Sequence, residues 1–285
     1  MYYQVQSLNP GLHIVSIPIG RARDITLNAL DVLASADAII AEDTREIKKL
    51  LNIYEISVKK VNLIAYHNHN AKKQIPKILN LLKEGLSVAL VSDAGTPLIS
   101  DPGYLIVKEA AKIDISVTSA PGPSALLAAL TISGLSTDRF VFCGFLPVKK
   151  ASRLKYFDDC DLHSSTLIFF ESPNRILSTL EDLAPKLGDK RKIVVCRELT
   201  KKFETIYRGS VFEVKERLQN DTLKGELVLL VSQRDEELVE KREIDILLQK
   251  LLKDVSLKES VDIVSDNLGV SRRIVYKSAL RINKK

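Results

Sequence analysis

The chain has little sulfur chemistry to offer. Its three cysteines, Cys143, Cys160 and Cys196, stand far apart in 285 residues and are odd in number. Neither a disulfide framework nor a CxxC zinc site is expected, and a reducing compartment is. No apolar run approaches the ~18 residues that a membrane helix needs. The opening MYYQVQSLNP carries no basic-then-apolar leader, so the expectation is a cytoplasmic protein with no membrane partner. GxxxxGK[ST] is missing, which leaves out a P-loop. No GxGxxG follows a strand-like run, which leaves out a Rossmann dinucleotide site, and no GxSxG marks a hydrolase elbow. His67 and His69 are the only clustered histidines. With no cysteine or HExxH beside them they are not read as metal ligands, and no metal is expected.

What the chain does carry is unevenly placed charge. Lys and Arg number 42 against 36 Asp and Glu, a net +6. From residue 267 onward there are six basic residues, Arg272, Arg273, Lys277, Arg281, Lys284 and Lys285, and no acid. The body is therefore neutral and the whole excess sits at one end. Composition alone reads this as a solvated basic end, with a small nucleic-acid-binding element as the sharper alternative. Apolar residues at 45% and charged residues at 27% are the mix of a soluble globular protein. The length suits roughly two domains of about 100–200 residues.

Short apolar runs alternate with helical patterns. Strands are expected at 12–17, 38–41, 61–65, 87–91 and 115–119. Helices are expected from a Thr26 cap through 36, at 44–52, at 75–84 with Pro76 in the first turn and Gly85 as the stop, and at 104–112. The SVALV run at 87–91 suits a strand covered on both faces. This βα alternation predicts an α/β domain over 1–120 with a mostly parallel sheet. Pro121-Gly122-Pro123 marks the boundary to a second α/β domain, 121–235, in which closely spaced runs near 193 and 204 suggest a mixed sheet. Residues 236–285 read as a helical, helix–turn–helix-like element that carries the basic charge.

The least ordinary segment is SDAGTPLISDPG at 92–103. It follows a buried strand, at the edge where open α/β sheets bind ligands. Its glycines allow close backbone approach, its prolines stiffen it, and it is long for a plain connection. Asp93 and Asp101 are available for hydrogen bonds. Pro18-Ile19-Gly20 and Pro121-Gly122-Pro123-Ser124-Ala125 are two further Gly/Pro turns at strand ends, so the three suggest one pocket. Glu42, Asp43, Thr44 and Arg45 open a helix at the same edge. Glu171 and Glu198, in polar clusters at strand ends further on, are candidates for a second wall, with surface caps and ion pairs as the equal alternative.

These segments together resemble the ribosomal RNA small subunit methyltransferase I family, of the tetrapyrrole-methylase fold. The resemblance rests on IVSIPIG near Gly20, AEDTR at 41–45, HNHN at 67–70, SDAGTPLISDPG, APGPSA at 120–125, DRFVFCGFLP at 138–147, FFESPNRI at 169–176, RELTKKFET at 197–205, GELVLLV at 225–231 and the closing GVSRRIVYKSAL. It departs at Arg21-Ala22, where Asn-Leu is expected after the PIG turn. The resemblance implies S-adenosylmethionine as cofactor, folded between two α/β domains of a homodimer. It implies the 2′-hydroxyl of a cytidine in the decoding region of 16S rRNA, in the small ribosomal subunit, as acceptor. It assigns to the cofactor Pro18, Asp93, Ala94, Gly95, Thr96, Pro97, Ile99, Ser124, Ala125, Phe170, Glu171, Glu226 and Leu227. A ribose hydroxyl needs a base, for which Glu42, Asp43, His67 and Glu198 are candidates. Arg45 and Arg197 are bidentate donors suited to phosphate, and Arg272, Arg273, Lys277 and Arg281 are the basic grip of the tail. Two other readings stay open: a precorrin-type tetrapyrrole methyltransferase, and a non-enzymatic nucleic-acid-binding protein.

Overall fold

Five strands carry the first half of the chain: β1 (Gly11–Val15), β2 (Ala38–Ala41), β3 (Asn62–Ala65), β4 (Ser87–Val91) and β5 (Val117–Ala120), in the order β3-β2-β4-β1-β5. Every neighbouring pair is parallel. The computed structural model describes residues 2–57, 61–160, 165–188, 191–233 and 241–282. Met1–Ala129 with Glu198–Thr205 form one compact unit, and Leu130–Arg197 with Ile206–Lys285 the other.

In the first unit the central strands are covered on both faces. Alternate residues feed two cores: Ile39, Ala89 and Val91 face one, while Ile40, Val88 and Leu90 face the other, as the two-residue period of a strand requires. Helices α1 (Leu27–Ser35) and α2 (Thr44–Ile53) supply Leu30, Leu33, Ile47 and Leu51 to the first core. Helices α3 (Ala71–Lys83) and α4 (Tyr104–Ala111) supply Ile78, Leu82 and Ile106 to the second. Thr26 caps α1 as expected, its hydroxyl accepting from Ala29 N–H at 3.1 Å. Gly85, at φ +81°, closes the turn after α3.

The expected start of α3 is corrected. The helix begins at Ala71, so Pro76 lies in its interior and not in its first turn. The turn before it explains the earlier start: the Asn70 side chain accepts from His67 N–H at 2.9 Å and donates to Ala65 O at 3.0 Å.

After α5 (Ala125–Ser133) the second sheet is mixed, as expected. It contains β6 (Phe140–Phe145), β7 (Thr166–Glu171), β8 (Lys192–Arg197), β9 (Thr205–Ser210) and β10 (Leu227–Val231), in the order β6-β7-β10-β8-β9. β6 runs parallel to β7, and β10 antiparallel to both β7 and β8. Helices α7 (Pro173–Leu187) and α8 (Val211–Gln219) pack Ile176, Leu180, Val214 and Leu218 onto its core.

Helix α6 (Lys150–Asp159) escapes the sequence pattern because only Arg153 and Phe157 on it are buried. Arg153 and Asp182 of α7 are 4% and 5% exposed and joined through two guanidinium nitrogens at 2.9 and 2.6 Å. Cys143 and Cys160, distant in sequence, meet beside Tyr156, and burial pushes the Cys143 thiol up to about 11.

Three last helices, α9 (Lys241–Leu251), α10 (Leu257–Leu268) and α11 (Arg272–Ile282), share a core of Ile244, Leu248, Val261, Val264, Val275 and Ala279. Gly269 ends α10 in the left-handed region, which makes the turn of the expected helix–turn–helix. The expected beginning of this element at 236–240, and Lys284 and Lys285, lie outside the described residues. No helix among the described residues is long and apolar enough to cross a membrane.

Candidate active site

Because the first sheet is wholly parallel, its five carboxyl ends share one edge. The three Gly/Pro turns meet there. Ile17 and Gly95 exchange main-chain hydrogen bonds at 2.9 and 3.0 Å, a short antiparallel bridge between the PIG turn and the 92–103 loop. The Thr96 hydroxyl donates to Pro123 O at 3.0 Å. A hydroxyl has one proton, so at 3.0 Å Thr96 accepts from Ser16 Oγ. One side chain thus ties all three turns. Gly95 stands at φ +73°, and a Cβ on it would sit 3.2 Å from Ile19 Cγ2. Leu98 and Ser100 also take positive φ, +72° and +68°, a costly backbone for side-chain-bearing residues. Pro18, the residues Asp93 through Pro97, Ile99, Ser124 and Ala125 are therefore brought to one rim.

The acids at this rim divide by their partners. The Asp43 carboxylate caps α2 through Arg45 N–H at 2.8 Å and takes the Arg45 guanidinium through both oxygens. These bonds hold its carboxyl down at about 2, which makes it a poor proton acceptor. Asp43 N–H in turn donates to Asp93 Oδ1 at 2.9 Å. Glu42 has no such clamp. Burial, then the charge of Asp93, push its carboxyl up, with His67 opposing.

Asp101 is the residue that sequence reasoning left without a role in proton chemistry. Burial, then Glu42, push it up to about 6, with a hydrogen bond from Ser92 opposing and Asp93 adding to the rise. Its place in the same loop as Asp93 was the available signal. His67 Nδ1 is buried and finds no hydrogen-bond partner among the described residues. Among the described residues no three His, Cys, Asp or Glu side chains converge as metal ligands.

Glu198 lies in the segment that belongs to the first unit. It takes φ +52° and pairs with Lys201 at 2.8 Å. This segment packs on Gly20, where a Cβ would come within 2.7 Å of Thr200 Oγ1, and Arg21 N–H donates to that same oxygen at 3.1 Å. The Arg21-Ala22 departure is thereby accommodated through the main chain.

In the second unit, Glu171 of β7 and Arg197 of β8 both lie opposite Leu227 of β10, one row across the sheet. Phe170 sits edge-on to Phe142 and Phe145 at 4.8 and 5.6 Å. Two expectations change here. The Glu171 carboxylate is buried and taken by Ser172 N–H, Thr179 Oγ1 and Arg175, so only its main chain is left for a ligand. Arg197 is 9% exposed and ion-paired to Asp221 at 3.1 Å, so it is not a free phosphate grip. Glu226 has partners of its own.

The tail arginines also divide. Arg272 pairs with Asp262 and Arg281 with Asp245, whereas Arg273 and Lys277 meet no acid among the described residues. Arg45 is exposed but shares its charge with Asp43.

The family model of Tetrapyrrole (Corrin/Porphyrin) Methylases matches residues 11–215. Relatives named "Ribosomal RNA small subunit methyltransferase I" match at greater length. That of Mesorhizobium japonicum is 43% identical over 96% of this chain and 93% of its own. That of Escherichia coli O157:H7 is 41% identical over 94% of both, and that of Bacillus subtilis 40% identical over 95% of this chain and 90% of its own. Among solved structures, a cobalt precorrin-4 methyltransferase superposes with a TM-score of 0.58 at 16% identity, over 78% of this chain and 94% of its own. A Thermus thermophilus uroporphyrin-III-C-methyltransferase does so at 0.55 and 18%, over 79% and 94%. With 40–43% identity along almost its whole length, the chain belongs to the ribosomal RNA small subunit methyltransferase I family, built on the tetrapyrrole methylase fold.

Proposed function

We propose that this protein transfers the methyl group of S-adenosylmethionine to the ribose 2′-hydroxyl of a cytidine in 16S rRNA, on the small ribosomal subunit, in the cytoplasm. The observation that carries the reading is one of extent. Relatives named for ribosomal RNA align over 94–96% of this chain, whereas tetrapyrrole methyltransferase structures cover 78–79% of it. A basic three-helix element has no evident use to a macrocycle enzyme, and every use to one that must find RNA.

The donor set at the rim fits the cofactor. Glu42, Asp93 and Asp101 crowd their carboxylates, and Glu42 and Asp101 are both raised by burial and by neighbouring acids. A cation seated among them relieves that cost. S-adenosylmethionine supplies a sulfonium methyl already activated for displacement. In this reading the main-chain groups of Ala94 through Pro97, Pro18, Ser124 and Ala125 would hold it, and the family resemblance assigns Phe170, Glu171, Glu226 and Leu227 to it as well.

The protein's task is then to align donor and acceptor, worth roughly 7–11 kcal/mol in good cases, and to accept the hydroxyl proton. Glu42 is the base we favour, since its raised carboxyl is better matched to neutral pH than the clamped Asp43. His67 and Glu198 are the next candidates. A homodimer is supported by Phe140, Val141, Phe145 and Val148, large apolar residues exposed on and just beyond the edge strand β6.

The test is transfer of labelled methyl from S-adenosylmethionine to small ribosomal subunits, naked 16S rRNA and porphyrinogens in parallel, followed by alkaline hydrolysis of the RNA. Label in an alkali-resistant dinucleotide is the expected result. Transfer to porphyrinogen alone, to a base, or to no acceptor refutes the assignment.

A further inference from the structure

The tail is better resolved by its partners than by its charge count. Arg272 and Arg281 are tied to acids of α10 and α9; they brace the three helices together. The unpaired cations lie elsewhere. Lys258 and Val261, three apart, share a face of α10. Arg273 and Tyr276, three apart, share a face of α11. These residues and Arg272 line one groove of about 290 Å3. Val261 is buried in the helical core, while Tyr276 is 48% exposed. Among the described residues no acid pairs with Lys258 or Arg273.

This placement is not one that helix stability favours. Two arginines stand in the first turn of α11, which carries no acid of its own, where the helix dipole disfavours cations. Asp262 compensates one of them. The other, with Lys258, faces outward beside an aromatic ring. A ring flanked by cations over an apolar floor suits an unstacked base with its phosphates. The volume is at the lower limit of small-molecule pockets and suits one base, not a whole cofactor. An A-form duplex is a poor fit, since its deep, narrow major groove does not admit side chains to the bases.

We propose that the groove between α10 and α11 is a single-stranded RNA site. In it a base stacks on Tyr276, and Lys258 and Arg273 hold the adjoining phosphates. The inference rests on the rRNA reading above and adds two residues, Lys258 and Tyr276, that the basic pattern of the tail does not contain.

The test uses the full chain and a fluorescein-labelled pyrimidine 12-mer RNA, single-stranded and as a duplex, read by anisotropy across a salt series. Tyr276→Ala is expected to weaken single-strand binding about tenfold, Tyr276→Phe to retain it, and neither to alter duplex binding. Lys258→Gln and Arg273→Gln should each lower the slope of log affinity against log salt by about 0.7. Lys250→Gln, an exposed change on α9 outside the groove, should leave both readouts unchanged. Unchanged single-strand affinity in Tyr276→Ala, or equal losses for single strand and duplex, overturns the groove. Methyl transfer to small ribosomal subunits is measured on the same samples. If the unaltered chain transfers none, the function reading fails and the groove is judged by anisotropy alone. If it transfers while Tyr276→Ala binds RNA normally, the function reading stands and the groove fails.

Discussion

Replacing Asp101 by Asn should stabilise the free protein at neutral pH, and the gain should vanish in acid. In the folded chain this carboxyl is raised from 3.8 to about 6 by burial and by Glu42. A folded-state value above the unfolded one means that the protonated form favours folding. The stabilisation is whole below about pH 3.8 and is lost as pH rises through about 6. At about 1.36 kcal/mol for each tenfold change in protonation, the full displacement costs the ionised protein about 3 kcal/mol. The carboxyl is only partly buried, so solvent screening reduces the expected cost to about 1–2 kcal/mol. Asn keeps the shape and an acceptor for Ser92 without the charge. Urea unfolding of Asp101→Asn should therefore show a gain of about 1–2 kcal/mol at pH 7.5, about half of that near pH 5, and little at pH 4. Equal stability at pH 7.5, or a gain that does not change with pH, refutes the reasoning. The same charge should aid a cationic donor, so the more stable variant should bind S-adenosylmethionine more weakly. Calorimetry near pH 6 in buffers of different ionisation heat should detect protons released when the unaltered protein binds it.

Asp182→Ala leaves the buried Arg153 without its carboxylate and should cost 3–5 kcal/mol by denaturant titration, whereas the joint change Arg153→Met with Asp182→Leu should recover most of it. Gly95→Ala forces a side chain into the left-handed region at about 1–2 kcal/mol and presses on Ile19. Calorimetry should show weakened donor binding, with RNA affinity by anisotropy unaltered. Glu42→Gln should lower kcat by about 10²–10⁴-fold in single-turnover assays. Asp43→Ala, which removes the α2 cap, should cost about 1 kcal/mol in melting experiments and change kcat no more than a few-fold.

The first sheet could be read from the chain because its signals are local. SVALV is buried along its whole length, and Thr26 caps α1 through an adjacent turn. The gathering of the Gly/Pro turns followed from one topological fact, that parallel strands end on one edge. Misreadings came where a long-range partner decides the outcome. α6 has too few apolar residues to show a period because its buried anchor is an arginine, and that arginine is tolerable only through Asp182 on another helix. The strand-end position of Glu171 leaves a ligand wall and an ion pair equally open, and the guanidinium of Arg197 suits phosphate or carboxylate alike. Asp221 and Thr179, far off or on the next helix, turn them inward. The start of α3 depends on the Asn70 side chain closing the turn at 67–70, a geometry that Pro76 masks.

The tail makes the same point about charge. Six cations without a single acid in the last residues of the sequence suggest a broad electrostatic clamp. Asp245 and Asp262 precede that stretch, yet they reach across to Arg281 and Arg272, so part of the excess is spent in surface ion pairs between the helices. Exposed on α10 and α11 without a paired acid, among the described residues, are Lys258, Arg273 and Lys277, one of them contributed by α10. Three phosphates neutralised on a single strand give a salt slope of only about −2, too shallow for charge alone to hold the protein on RNA at physiological ionic strength. On the proposed reading, binding then draws on contacts that salt does not screen: stacking on Tyr276 and engagement of the acceptor nucleotide at the rim of the first sheet. On the proposal that the groove holds an unstacked base, the tail selects for unpaired RNA beside the target and leaves the choice of nucleotide to the catalytic body.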